Sequence, residues 1–255
     1  MIQPLILVTN DDGIDSPGLE ALYMSVSHIG KTIVVAPEVE KSAFSHAISS
    51  LSPIRIRDKS LPSFKGIAVN GTPADCIKIA LKNILDEKPD LILSGINMGA
   101  NVASNILYSG TVAAAIEGAL FGVRAVAFSI TRTKDIDFSF AIKFIRNFIG
   151  KYIKNSVPDN IVLNINIPAL DEKEIKGIEF TKQGKSIFVE KYEERVDFKG
   201  NLFYWPDGSM DYLYDDDKYP ADDFTINQKK ISITPIKFDF TDYKTLEKIK
   251  EWNII

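Results

Sequence analysis

The first two thirds of the chain alternate between short continuous apolar runs and longer amphipathic stretches. The runs that predict strands are Pro4–Thr9, Thr32–Ala36, Asp90–Leu93, Ala125–Ile130 and Asn160–Ile167. The stretches that predict helices begin after Ser16 and at Thr72, and cover Thr111–Phe121 and Ile136–Lys154. Continuous apolar strands separated by helices indicate a parallel sheet covered on both faces. The pattern therefore predicts an α/β fold with a doubly wound (Rossmann-like), mostly parallel sheet.

Local signals support two of the helix starts and one β-pair. Ser16 suits the N-cap of the first helix, and Pro17 suits its first turn. Thr72-Pro73-Ala74-Asp75 fits a T-x-x-D variant of the capping box. Between these two helices, Pro53–Arg57 and Gly66–Val69 are expected to form a short β-pair.

The pattern changes after Pro168. The segments SIFVEKYEERVDF, NLFYW and ISITPIKFDF are β-like and rich in aromatic residues, and Thr241–Trp252 reads as a charged helix. Long β-arms that a small domain cannot cover often pair with another subunit. We therefore expect residues 1–168 to form the α/β catalytic core. Residues 169–255 are expected to be a β-rich extension, a hairpin arm for oligomerisation with a C-terminal segment and helix that complete the core.

Composition and charge narrow the function classes. The 255 residues carry a net charge of -4, which argues against a nucleic acid polymer as the partner. The single cysteine, Cys76, excludes an intrachain disulfide, and with only His28 and His46 a zinc centre rich in cysteine or histidine is excluded. The first residues lack the basic start of a signal peptide, and no apolar run is long enough to span a bilayer. The expectation is a cytoplasmic protein without membrane contact.

Polar residues follow the predicted strands at the edge where ligands of open α/β sheets bind. Strand one is followed by Asn10, Asp11, Asp12 and Gly13, strand two by Ser42, Ser45 and His46, and the DLIL strand by Ser94, Gly95 and Asn97. Because the carboxyl ends of parallel strands share one edge of the sheet, these groups are expected to lie together.

The adjacent aspartates Asp11 and Asp12 pose an electrostatic problem. At ~4 Å and an effective dielectric of about 20, two like charges repel by ~4 kcal/mol. A divalent cation would let both stay ionised, and carboxylate, hydroxyl and amide oxygens suit Mg²⁺ or Mn²⁺. The alternative is that both residues only form a turn before the first helix. The position at a strand's carboxyl end favours the metal site.

Ser109-Gly110-Thr111 opens the alanine-rich helix and is a candidate phosphate site. The N–H groups and the dipole of a helix N-terminus favour an anion. Glycines at 95, 99 and 110 permit close backbone approach, and Asn97 and Asn101 precede the helix on the same loop. Plain capping by Ser109 is the alternative.

Other polar residues carry weaker signals. His46 is either structural or involved in substrate binding or proton transfer, and the sequence leaves both open. No G-x-S-x-G elbow and no G-x-x-x-x-G-K-[ST] loop is present, which argues against a Ser-His-Asp hydrolase and a P-loop NTPase. The acidic clusters Asp215-Asp216-Asp217 and Asp222-Asp223 are expected to be solvated loop charges.

Several motifs together resemble a known family. NDDGIDSPGLEAL, P-x-x-x-x-S-x-x-S-H-A-I-S, NGTPADC, SGINMGANVASNILYSGTVAAAIEG and SITPI occur in the same order in the survival protein E family. The resemblance implies a metal-dependent phosphomonoesterase that hydrolyses nucleoside 5'-monophosphates, and 3'-monophosphates as well. It also implies homodimers or homotetramers that exchange C-terminal arms.

The resemblance assigns roles residue by residue. One divalent cation per subunit, Mg²⁺ or Mn²⁺, would be held by Asp11, Asp12, Ser42 and Asn97, and Asp11, Asp12 and Asn97 would be catalytic. The expected substrate and phosphate pocket comprises Asn10, Gly13, Ser45, His46, Gly99, Asn101, Ser109, Gly110 and Thr111. A base or nucleophile role of Asp11 remains an alternative to attack by water.

The resemblance is weaker near the C-terminus, and two other function classes share single features with the chain. ADDFTINQKKISITP departs from the family pattern, with Lys229-Lys230 where a glycine and an aromatic residue are usual. A Mg²⁺-binding receiver-like signalling module also has paired acidic residues after its first strand. It would need an acceptor aspartate after DLIL, where Ser94-Gly95 stand, and about half this length. A dinucleotide-binding oxidoreductase would need G-x-G-x-x-G where NDDGID stands.

Overall fold

A computed structural model describes residues 3–213 and 217–252. The strands are β1 Leu5–Thr9, β2 Lys31–Pro37, β3 Ile56–Ser60, β4 Lys65–Val69, β5 Leu91–Met98, β6 Ala125–Ile130, β7 Val162–Ile167, β8 Ile178–Phe180, β9 Ile187–Val196, β10 Leu202–Asp211 and β11 Ile231–Ile236. The α-helices are α1 Pro17–Val26, α2 Pro73–Ile79, α3 Gly110–Leu120, α4 Ser139–Tyr152, α5 Asp222–Asn227 and α6 Tyr243–Ile249. A π-helical turn, Ala80–Ile84, continues α2.

One nine-stranded sheet organises the molecule. Its order is β3-β4-β2-β1-β5-β6-β7-β11-β8. The strands from β4 to β7 in that order pair in parallel, while β3 pairs antiparallel to β4 and β11 antiparallel to β7. The predicted doubly wound, mostly parallel α/β sheet is therefore confirmed. The strand order reverses beside β1, which places the junction of β1 and β5 where ligands of this fold class bind.

Both faces of the sheet are covered, as the continuous apolar strands predicted. In β1, Ile6 and Val8 pack into the cluster that contains buried residues of α1 and α4. Leu7 points the other way, into the cluster built from α2 and α3. Successive strand residues face opposite sides, so a strand buried on both faces must be apolar throughout.

The predicted helix starts are confirmed. Ser16 is the N-cap of α1 and accepts a hydrogen bond from the N–H of Gly18, with Pro17 in the first turn. At α2, the Thr72 hydroxyl accepts from the Asp75 N–H and the Asp75 carboxylate accepts from the Thr72 N–H. Both capping bonds hold a helix end whose first N–H groups have no intrahelical partner.

Two predicted strand boundaries are wrong. The strand expected to end at Leu93 continues to Met98, because Asn97 and Met98 still pair with β6 after a register shift that follows Ser94. Ser94 is therefore buried inside the strand, and only the residues from Asn97 onward reach the site. The strand expected over 53–57 lies at Ile56–Ser60, in register with Lys65–Val69.

The C-terminal third contributes to the sheet and also extends away from it. β8 and β11 join the nine-stranded sheet, whereas β9 and β10 form a separate antiparallel hairpin. We call this hairpin, Ile187–Asp211, the arm. None of the helices within the described residues combines the length and the apolarity needed to cross a bilayer.

The acidic pair Asp222-Asp223 contradicts the expectation of solvated loop charges. Both residues begin α5 and are fully buried. Oδ1 of Asp222 accepts hydrogen bonds from the N–H groups of Ala103, Gly184 and Asp223. Burial raises the pKa of Asp222 to about 6 despite these donors. In the other acidic cluster, Asp215 and Asp216 lie outside the described residues.

Candidate functional site

A cleft with a volume of about 700 Å³ opens at the carboxyl edge of the central strands. That volume is typical of small-molecule sites. Of the residues predicted from sequence, those that line it are Asp11, Asp12, Gly13, Ser42, Asn97, Gly99, Asn101 and Ser109. The structure therefore brings together residues from the ends of β1 and β5, the loop after β2 and the start of α3.

Asp11 is buried and fixed from two sides. Its Oδ1 accepts a hydrogen bond from the hydroxyl of Thr111, in the first turn of α3. Its backbone oxygen accepts a hydrogen bond from the N–H of Lys41, in the loop after β2, at 2.7 Å. Burial raises the pKa of Asp11, while the Thr111 hydroxyl acts in the opposite direction. Asp11 thus links three segments of the site.

The Asp12 side chain has fewer hydrogen-bond partners than that of Asp11, and its pKa is strongly shifted. Burial, followed by the charge of Asp11, raises its pKa to about 6, and a hydrogen bond from the Met98 N–H partly offsets this. Its Oδ2 is buried and has no hydrogen-bond partner within the described part of the chain. A buried carboxylate oxygen without a donor is costly unless a ligand reaches it.

Ser42 and Asn97 present oxygen atoms beside the two aspartates. The Ser42 hydroxyl donates to Oε1 of Glu40 at 2.6 Å, which leaves the lone pairs of Ser42 Oγ available to a ligand. Nδ2 of Asn97 donates to the Gly99 carbonyl at 2.7 Å, so Oδ1 is the atom of this amide left to accept. Both side chains therefore offer oxygen to the cleft.

A buried amide network holds the loop after β5. The Asn101 N–H donates to Oδ1 of Asn166, and its carbonyl accepts from the side chains of Asn164 and Asn166. Nδ2 of Asn101 donates to the Ser129 hydroxyl at 2.9 Å. The asparagines of β7 sit in a buried strand, VLNINI, and this pattern of polar residues at alternate buried positions could have revealed the network from sequence.

The start of α3 lies against Asp11. Ser109 caps the helix by accepting from the N–H of Val112, as the plain-capping alternative requires, and it also lines the cleft. A Cβ on Gly110 would lie 2.8 Å from the Cβ of Asp11, so only glycine permits this approach. Gly110 and Thr111 pack behind Asp11 and do not line the cleft.

Three other predicted residues lie outside the cleft. Asn10 is buried, and its Nδ2 donates to the Gly13 carbonyl at 2.8 Å, which holds the turn after β1. The Ser45 hydroxyl donates to the Leu107 carbonyl at 2.6 Å. His46 pairs with Glu117 at 2.7 Å, and both Ser45 and His46 line a smaller neighbouring cavity of about 300 Å³. These contacts anchor the loop that carries Ser42.

Sequence reasoning missed four charged residues of the cleft wall, Asp15, Glu38, Glu40 and Arg132. Glu38 and Glu40 follow β2, and Glu40 raises the pKa of both Asp11 and Asp12. Arg132 comes two positions after β6, whose carboxyl end also reaches the cleft. Collecting the polar residues after β6 by the rule already applied to the other strands would have found it.

Comparison with known proteins gives one consistent family. The family model described as "Survival protein SurE" matches residues 6–190. Proteins named "5'-nucleotidase SurE" match nearly the whole chain. That of Chlorobaculum tepidum is 45% identical and covers 99% of this chain and 95% of its own length. That of Moorella thermoacetica is 43% identical, covering 96% and 94%.

A solved structure agrees with the sequence comparison. The crystal structure of the SurE protein from Aquifex aeolicus superposes with a TM-score of 0.83 at 36% identity. The match covers 97% of this chain and 98% of the other. It therefore extends beyond the sheet into the C-terminal third.

Proposed function

The chain belongs to the survival protein SurE family and is an enzyme of the 5'-nucleotidase class. From this premise we propose that it is a metal-dependent phosphomonoesterase. Its proposed substrates are nucleoside 5'-monophosphates, and 3'-monophosphates as well. The observation that carries the proposal is the cleft where Asp11, Asp12, Ser42 and Asn97 converge beside the N-terminus of α3. Oxygen donors for a cation and a helix end suited to an anion lie in one cleft.

The residues present fit a divalent cation. Oδ2 of Asp12 is a buried acceptor with no donor among residues 3–213 and 217–252, and Asp11 adds a second negative charge beside it. With the Ser42 hydroxyl and the Asn97 amide, the donor set is all oxygen, which suits Mg²⁺ or Mn²⁺. We propose that these four residues hold one such ion. When bound, it neutralises charge on the phosphoryl oxygens and lowers the pKa of a water molecule.

The chain's own residues position the substrate. In the reaction, a water oxygen bonds to phosphorus, the ester P–O bond breaks, and the nucleoside oxygen leaves with a proton. Ser109 brings the positive end of the α3 dipole to the cleft wall, where it stabilises charge on the phosphoryl oxygens. The Asn101 network keeps the intervening loop in place, because phosphoryl transfer depends on positioning and electrostatics.

The receiver-like signalling alternative has little support. Its phospho-acceptor position corresponds to the end of DLIL, where Ser94 is buried within β5. A buried serine hydroxyl inside a central strand cannot receive a phosphoryl group from a partner protein. The relatives that span the chain are named as nucleotidases.

Asp12→Asn tests the proposal directly. The substitution keeps the shape of the side chain but removes a charge from the proposed metal site, so we expect loss of Mn²⁺ binding and an at least ~100-fold fall in phosphate release from nucleoside 5'-monophosphates. Mn²⁺ titration and a phosphate assay, with EDTA treatment and metal restoration, measure both effects.

A matched control separates the site from general charge effects. Asp159 is exposed beyond the opposite end of the sheet, and Asp159→Asn should leave both measurements unchanged. Circular dichroism checks that each variant is folded. A folded Asp12→Asn enzyme that turns over at the wild-type rate would contradict the proposed mechanism.

A further inference from the structure

The charges that line the cleft are strongly unequal. Five of the lining residues are acidic, and the lining cation is Arg132; the acids are Asp11, Asp12, Asp15, Glu38 and Glu40. A phosphate monoester is itself an anion. A wall of carboxylates repels it unless positive charge is placed where the phosphoryl group sits.

The acidic residues at the rim already have partners. Glu38 pairs with Arg57 and Asp15 pairs with Lys59, each at 2.8 Å. Glu40 accepts the hydrogen bond from Ser42. Arg132, by contrast, lines the cleft and forms no ion pair with any residue in 3–213 or 217–252. Its guanidinium donors are therefore available to a ligand.

The backbone beside Arg132 is fixed. Thr131 donates its N–H to the Ile167 carbonyl at 2.9 Å, and its hydroxyl accepts from the Ala169 N–H at 2.8 Å. These bonds tie the residue before Arg132 to the end of β7. The exposed arginine side chain thus extends from an anchored point at the carboxyl end of β6.

We propose that Arg132 contacts the phosphoryl group of the substrate and is a specificity residue for phosphate monoesters. This rests on the proposed function and adds a residue to it. The planar guanidinium offers paired N–H donors that match two phosphate oxygens, which a lysine ammonium does not. Arg132 cannot ligate a cation, and its positive charge opposes one at Asp12.

This last point makes the test sharp, because loss of Arg132 should weaken phosphate binding without weakening Mn²⁺ binding. In Arg132→Gln, inorganic phosphate should bind at least about tenfold more weakly, which corresponds to ~1.4 kcal/mol. Mn²⁺ alone should bind as tightly as in wild type, or more tightly. Titration calorimetry with each probe measures both affinities, and the KM for a nucleoside 5'-monophosphate should rise with that of phosphate. Arg132→Lys should recover only part of the loss.

The chain offers a matched control at the other end of the same strand. Arg124 directly precedes β6 and lies over the Tyr152 ring, 5.7 Å from its centroid. Arg124→Gln removes the same charge without touching the cleft, so phosphate and Mn²⁺ affinities should both stay at their wild-type values.

Two outcomes would overturn the role of Arg132. One is a phosphate affinity of Arg132→Gln within about twofold of wild type. The other is a parallel fall in phosphate and Mn²⁺ affinity, which indicates damage to the whole site. Failure of the wild-type enzyme to release phosphate from any nucleotide would instead refute the proposed function.

Discussion

Glu117 is a carboxylate buried on the alanine-rich helix α3, and the side chains of His46 and Lys78 hold it there. Its Oε2 lies 2.7 Å from His46 Nε2, and its Oε1 accepts a hydrogen bond from Lys78 Nζ at 3.0 Å. Burial alone raises the pKa of Glu117, but the hydrogen bonds from His46 and Lys78 outweigh it and hold the pKa below the ordinary value of 4.5. The contact ties the loop that carries Ser42 to α3.

Glu117→Gln should therefore destabilise the protein in a pH-dependent way. A carboxyl with a lowered folded pKa contributes stability above its unfolded pKa, and that contribution is lost as pH falls through the folded value. We expect a loss of about 1–2 kcal/mol in the free energy of unfolding at pH 7. The difference from wild type should narrow below about pH 4.5. Urea denaturation across this pH range measures it.

A second carboxylate serves as the control for this prediction. Glu172 pairs with Lys143 at 2.7 Å, but both side chains are largely exposed. Exposed pairs contribute little, so Glu172→Gln should change stability by less than ~0.5 kcal/mol at any pH in the range. A Glu117→Gln deficit that is as large in acid as at pH 7 would contradict the electrostatic account.

Single residues were predictable from sequence when their chemistry and their place after a strand were both visible. Asp11, Asp12, Ser42 and Asn97 met both conditions, and all line the cleft. The partner of His46 did not, because Glu117 is 71 positions away and only the fold brings the two together. The metal and substrate roles of these residues stay predictions.

At the scale of elements, the close approach of the first turn of α3 to the turn after β1 is what holds Asp11. Gly110→Ala should push Asp11 out of position, since the new Cβ would lie 2.8 Å from the Asp11 Cβ and 3.0 Å from its Oδ2. We expect kcat/KM to fall at least about tenfold, because displacement of a catalytic group by a fraction of an ångström is costly. Alanine is the better helix former by ~1 kcal/mol, so weak helix propensity cannot explain a loss.

Gly150 in α4 provides the matched control. Apart from its chain neighbours and the backbone of its own helix, no heavy atom of the described residues lies within 4 Å of a Cβ built there. Gly150→Ala should raise the free energy of unfolding by about 0.5–1 kcal/mol and leave kcat/KM unchanged. Thermal unfolding and steady-state assays of both variants separate the two effects. Equal activity of Gly110→Ala and wild type would show that Asp11 tolerates displacement.

Helices and strands were predictable from sequence where the hydrophobic period and the capping residues agreed. They were less predictable where a tertiary contact determined a strand end or the burial of a side chain. The sequence predicts that β5 ends at Leu93, because Ser94-Gly95 resemble a strand end, yet pairing with β6 continues the strand to Met98. The charge of Asp222 predicts exposure to solvent, yet three backbone N–H groups hold its carboxylate in the interior. In both cases the partner lies on a distant segment that local sequence does not identify.

At the scale of the whole molecule, the sheet draws on both parts of the chain that the sequence separated at Pro168. β8 and β11 complete it from the C-terminal side. The arm does not share this packing. Its strands are almost entirely exposed, and Phe198 at its tip is 94% exposed. An isolated two-stranded hairpin is marginal in water, and exposed aromatic residues in number mark an interaction surface.

We therefore predict that the arm joins subunits of a homodimer or homotetramer. Ile187 and Asp211 are paired across the base of the arm, so residues 188–210 can be replaced by an Asn-Gly turn without moving the ends. The shortened chain should keep its sheet and elute as a monomer, whereas the full chain should elute as the oligomer; light scattering after gel filtration gives both masses. The segment after β5 contacts the base of the arm, where the Ser104 N–H donates a hydrogen bond to the Ser186 carbonyl. The deletion therefore leaves Ser186 in place. A full-length chain that is a monomer at micromolar concentration, or an oligomer that persists without the arm, would show that the exposed aromatic residues of the arm do not join subunits.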